Sequence, residues 1–444
     1  MEDNKRCGCG PGLKVDLGGV ALPSLRVNGE VVTAKVSSAG VVYAGDFVQR
    51  VDELEEVDEL RFLAGGKVLA ACRNGQGRCA VLYAQEGKSY LKAVAYNGKA
   101  VALGNSVQVA EETLEGAALV CVDESAVAVV YNSEGAGLAG LVRFDDRVGE
   151  LAYTDLWDDG DPYNIAVSKS DTGKVLVSCL HHQADGSGRA VVKVVAFGET
   201  CVTPGPETAL ETEYDDDEYA GGWSVAALSP HVGVVSFFRA HAKPVAFAVL
   251  DIGQGDKVAV RYVGECVYVG SLPCTSVMAI NEQNWMFANG IARVDASGQV
   301  VKSMLACEVW HTTQYGALPS WYSVDDQEYD ANLGRVAVDA MRPAACLSYT
   351  IDNVARAMLI DIGDNALRGY PGVQVGPFDG FSQVVPLNAT YAAMVHQRGG
   401  NGYAKILKRV PTALTSDTVV NGLARTGGGP GEKITIISTQ RHTK

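Results

Sequence analysis

The sequence predicts an all-β fold, a β-propeller of seven four-stranded blades with short β segments at its ends, on three observations. Apolar residues make up 47% of the chain, yet they fall in short Val- and Ala-rich runs broken by 50 glycines, with only 15 prolines. Such runs favour many short strands over long helices. A unit of apolar strand, polar Gly-containing turn and second apolar strand recurs through the chain. A further apolar run precedes each unit and another follows it, which makes four strands per repeat.

The copies read in order. "GKVLAACRNGQGRCAVLYAQ" begins at Gly66, "SAVAVVYNSEGAGLAGLVRF" at Ser125, "GKVLVSCLHHQADGSGRAVVKVVAF" at Gly173 and "HVGVVSFFRAHAKPVAFAVLD" at His231. "NWMFANGIARVD" from Asn284, "AACLSYTIDNVARAMLIDIG" from Ala344 and "TYAAMVHQRGGNGYAKILKRV" from Thr390 complete the set. Markers at the first strand ends (Arg73, Tyr131, Leu180, Phe238, Ala288, Thr350 and His396) are 46 to 62 residues apart, 54 on average. Preceding runs include "AALVCV" at 117–122, "YNIAVS" at 163–168, "WSVAALS" at 223–229 and "SVMAI" at 276–280. A four-stranded blade has two apolar faces, and stacking blades around an axis buries both while leaving only short edges. The period is too long for a β-helix coil, and no Pro- or Ser-rich linkers divide the chain into tandem sandwiches. Six or eight blades are the neighbouring possibilities. The expected organisation is a docking segment over 1–40, the propeller over 41–411, and a C-terminal β-hairpin over 412–444 that attaches to a neighbour or closes the last blade.

Composition narrows the function. A net charge of −15 argues against a nucleic-acid surface, which needs clustered Lys and Arg. No apolar run approaches the roughly 18 residues of a membrane span. The N-terminal "MEDNKRCGCGPGLKVDLGG" lacks the apolar centre of a signal peptide, so synthesis and folding in a cytoplasm are expected. Most of the 11 cysteines sit singly inside apolar strands and read as small buried hydrophobes.

Motifs that would carry catalytic or metal chemistry are largely missing from the sequence. "WDDGDPYN" at 157–164 lacks the register of a Ca²⁺ loop. "CLHHQ" at 179–183 points neighbouring ligands to opposite faces of a strand. No nucleophile elbow, phosphate-binding loop or His-Glu-x-x-His occurs, so no catalytic residue, metal or cofactor is expected. Two stretches are candidate ligand contacts. "YDDDEYAGGW" places Asp215, Asp216 and Asp217 between aromatics, and "EVWHTTQYGALPSWYSVDDQEYD" groups Trp310, Tyr315, Trp321, Tyr322 and Tyr329 in the longest repeat step. Rings that stack beside polar groups that orient suit sugar or protein recognition; filling a blade and forming a solvated loop are the plain alternatives.

The repeat resembles that of tail-associated propeller proteins of bacteriophages and prophages, in which a Gly-Ala-Arg-like start follows the polar turn; Gly188-Arg189-Ala190 and Gly77-Arg78-Cys79-Ala80 come closest to it here. The C-terminal "NGLARTGGGPGEKITII" is similar to a β element of phage structural proteins at Gly422, Leu423, Ala424, Thr426, Gly427, Gly431, Glu432, Ile434 and Ile436. The resemblance implies a virion component assembled in the host cytoplasm: a tail-fibre, tail-tip or decoration subunit. Its expected partners are other tail or capsid proteins, further copies of itself and a host-surface glycan, with no nucleic acid and no membrane insertion. Gly422, Leu423, Ala424, Ile434 and Ile436 are then the expected assembly residues. A glycan-active hydrolase or lyase, or a bacterial protein-binding propeller, are the rival readings.

Overall fold

The computed structural model describes residues 31–38, 40–75, 77–133, 135–143, 152–157, 161–182, 188–198, 201–210, 222–237, 245–266, 271–294, 300–324, 333–362, 367–369, 372–415 and 422–438. The chain divides into two compact units, residues 52–410 and residues 1–51 with 411–444. Among the described residues the one helical element is the turn Gln254–Asp256, and no helix is long and apolar enough to cross a membrane.

The larger unit is an all-β propeller. Six sheets of four or five strands follow one another along the chain, spanning 67–110, 115–157, 161–210, 223–265, 271–324 and 333–377. A further sheet joins Ser382–Pro386, Tyr391–Arg398, the strand starting at Asn401, and the acidic strand Phe47–Leu63 from far upstream. Within each sheet successive strands pair antiparallel, and the first strand lies at one end of the order. These first strands are Lys67–Arg73, Glu115–Cys121, Asp161–Asp171, Trp223–Ser229, Ser271–Ala279, Leu333–Met341 and Ser382–Pro386. Each touches the next, and the last touches the first, so they surround a common axis.

Local chemistry explains the strand ends. Two-residue type I′ hairpins, which match the twist of their strands, need positive φ at both central residues. Gly399 and Gly400 supply φ of 58° and 69°, and Asp352 and Asn353 supply 50° and 58°. The second and third strands are covered on both sides and almost wholly buried, as in Ala126–Ser133 and Ala344–Ile351. Ala126, Val127, Ala128, Val129 and Val130 are all fully buried, so the in-out alternation of a half-exposed strand is absent. The sheets bury these faces against each other. One cluster joins Met286, Leu305 and Val309 to Leu347, Tyr349 and Ile360 of the next sheet.

The first strands have an unladdered edge toward the axis, and serines satisfy part of it. Ser224 Oγ accepts from Val277 N at 3.1 Å, Ser276 Oγ from Val338 N at 3.1 Å, and Ser348 Oγ from Val384 N at 3.0 Å.

The repeat register differs from the sequence expectation in its first copy. The run from Gly66 is the first and second strand of its sheet, whereas the runs from Ser125, Gly173 and His231 are second and third strands. Both hairpins are apolar with a glycine-containing turn, so the local pattern does not tell them apart. The second strands begin at Arg78, Ala126, Lys174, Val232, Asn284, Ala344 and Tyr391, in steps of 47 to 60 residues.

The acidic strand is held by ion pairs. Arg409 Nε donates to Asp52 Oδ2 at 2.7 Å, and Lys405 Nζ donates to Glu56 Oε2 at 2.9 Å and to Val375 O at 2.9 Å. Glu59 lies 3.5 Å from His396 Nε2, 3.8 Å from Lys405 Nζ and 3.8 Å from Arg398 Nη2. His396 is fully buried, and burial pushes its imidazole below the usual range, against the opposing pull of its hydrogen bond to Met394 O and the Glu59 charge.

In the smaller unit Val31–Val36 pairs antiparallel with Lys433–Ser438, which pairs with Gly422–Ala424, which pairs in turn with Phe47 and Val48. Lys35 and Val36 also run parallel to Thr412 and Ala413, and Thr412 Oγ1 donates to Val51 O at 3.4 Å. The five strand segments thus close on themselves around Val36, Val42, Val48, Ala424, Ile434 and Ile436.

Candidate functional site

Side chains from different sheets converge where the first strands meet. In "GRVAVDAM" (334–341) alternate residues face opposite ways. Val336 and Val338 enter the core shared with the preceding sheet. Arg335, Ala337 and Asp339 occupy the other side.

Asp339 is the most perturbed acid of the described residues. Burial raises its carboxyl from 3.8 to about 6, opposed by the Ala340 N–H and the Arg73 charge. That N–H reaches Asp339 Oδ1 at 2.7 Å. Arg73 belongs to the first of the six sheets and Asp339 to the last, so the first strands of different sheets influence this carboxyl. Cys72 is affected too: burial, then the Cys121, Cys79 and Asp339 charges, raise its thiol well above the ordinary value. Burial likewise raises Cys121, while Lys169 and Arg73 pull it down. The thiols are therefore protonated and poor nucleophiles, whereas a carboxyl near 6 can give or take a proton at neutral pH. No group of three His, Cys, Asp or Glu among the described residues could hold a metal ion.

The expected ligand residues do not come together here. Trp310 is 5% exposed, stacks on Trp285 and meets Phe247 edge-on in a core, and donates from Nε1 to Glu308 Oε2 at 2.9 Å. That burial corrects the ligand-contact role expected of it: its ring is already spent on packing. Tyr315 is 84% exposed on the turn between Thr313 and Gly316, beside Leu318 at 60%. Arg261, held by Asp251, donates to Thr313 O at 3.3 Å and braces that turn. Trp321 and Tyr322 lie in the strand Gly316–Val324, where the backbone alone is described. Tyr329, Asp215, Asp216 and Asp217 lie outside the described residues. Gly422 and Leu423 are strand residues of the smaller unit, while Ala424, Ile434 and Ile436 fill its core. Those three side chains pack against Val36, Val42 and Val48 within this unit.

Comparison with known proteins supports the fold alone. No protein-family model matches, and no curated protein matches. An ulvan lyase of polysaccharide lyase family PL25, solved with a GlcA–Rha3S saccharide, superposes with a TM-score of 0.51 at 10% identity, over 81% of this chain and 98% of that one. The WD40 domain of Toxoplasma gondii coronin superposes with a TM-score of 0.50 at 10% identity, over 86% and 91%. The chain is a β-propeller protein.

Proposed function

We propose that the chain is a structural subunit of a tailed-bacteriophage particle, a tail-fibre, tail-tip or decoration protein that binds other virion proteins and a host-surface glycan. The observation that carries this reading is the smaller unit. Segments from 31–51 and 411–438 assemble into one closed set of strands, and its core residues Ala424, Ile434 and Ile436 belong to the phage-like C-terminal pattern. A module of this kind, separate in its core from the propeller, suits attachment. Tyr315, exposed on a braced turn, is the remaining described aromatic candidate for glycan contact.

The propeller itself reads as seven-bladed. Seven first strands touch in a closed cycle, and residues 52–63 supply the outer strand of the last blade from the opposite end of the sequence. This ties the ring shut in the way a clasp would, through Asp52, Glu56 and Glu59.

Mass spectrometry of purified particles, followed by imaging of the assembled virion, tests the main reading. The protein should copurify in fixed stoichiometry with tail or capsid proteins; its absence from intact particles would refute it. Clear depolymerisation of host polysaccharide by the purified chain would instead favour the lyase or hydrolase reading.

A further inference from the structure

A second charged group on the axial wall is unlike the rest. Arg335 stands four residues before Asp339 on the same side of its strand, about 13 Å away at the rise of an extended chain, too far to pair. Its guanidinium lies 4.3 Å from the centroid of the Phe381 ring. Among the described residues no carboxylate, carbonyl or hydroxyl bonds to it. The side chain is exposed on the face of its strand away from the shared core, yet protein crowds its guanidinium. That crowding lowers it to about 10, and no acid among the described residues opposes the shift. The backbone beneath it is closely seated: a Cβ at Gly334 would collide with Thr350 Oγ1.

An arginine held against a ring keeps the edge of its planar fork free, and that edge matches an oxyanion in a two-point hydrogen bond. We propose that Arg335, oriented by Phe381, is a binding site for a small oxyanion, the carboxylate, sulfate or phosphate group of a ligand entering along the axis. The site does not depend on where the protein resides, so its failure would leave the virion reading untouched.

Isothermal titration calorimetry of the full chain with sodium sulfate, sodium phosphate and sodium glucuronate, at constant ionic strength, tests it and separates the three sources. At least one should bind saturably, and R335Q should weaken that binding tenfold or more while retaining the wild-type circular dichroism spectrum. R335K, which keeps the charge but loses the fork, should fall between. F381L should weaken binding less than R335Q. No saturable binding of any of the three, or equal binding by folded R335Q, overturns the proposal.

Discussion

Asp339 offers a direct test of the axial site, because its protonation is a stability statement. The carboxyl moves from 3.8 to about 6 on folding. Between those values the folded chain holds a proton that the unfolded chain has lost, so stability falls as pH rises from about 4 through about 6. That rise corresponds to at most about 3 kcal/mol, because the side chain is only partly buried. D339N removes the ionisation and keeps the shape and the acceptor for the Ala340 N–H. At pH 7.5 the variant should therefore be more stable than the wild type. With an unfolding entropy of roughly 2 cal/mol/K per residue over the larger unit, the gain is at most about 4 °C in melting temperature. At pH 4 the two should coincide. Differential scanning calorimetry across this range reads the result; a variant destabilised equally at both pH values would refute the reasoning. A half-buried carboxyl that costs stability, and forms no ion pair within contact distance among the described residues, is what a binding site retains.

Four further outcomes follow from other parts of the fold. Burial lowers His396, so stability should decline as pH falls through about 6.5, where the unfolded chain takes a proton that the folded one resists; urea melts of H396Q should show a flatter acid limb. K405M should cost about 1–3 kcal/mol by leaving Glu56 and Glu59 without the cation they share, less than for a wholly buried pair because Glu56 is half-exposed; E56Q/E59Q in the same background should recover part of the loss. W310A should cost about 3–5 kcal/mol, whereas Y315A should leave the melting temperature within about 1 °C and still reduce particle adsorption if that ring meets the receptor. I434A should speed amide exchange over 433–438 while amides of 126–133 keep their protection, since the two stretches belong to different compact units.

The fold is largely legible in the sequence because doubly covered strands must be apolar, and runs such as "AVAVVY" announce themselves without context. The strand 47–63 is not, since "DELEEVDELRFL" is acidic and looks like a solvated loop. Only its partners explain it: Asp52, Glu56 and Glu59 find Arg409, Lys405 and His396 hundreds of residues later in the chain. Local pattern cannot report a pairing of that range. The axial site shows the same limit in reverse. "GRVAVDAM" carries a readable signal, two valines on one face and Arg335 with Asp339 on the other, but nothing local says which face borders the axis. The aromatic cluster misleads for a related reason. Trp310 and Tyr315 are close in sequence, yet a register shift between Val309 and Trp310 and the turn at 313–316 send one ring into the core and the other to solvent. Clustering along the sequence measures chemical richness, and only strand register decides whether that richness is available to a ligand.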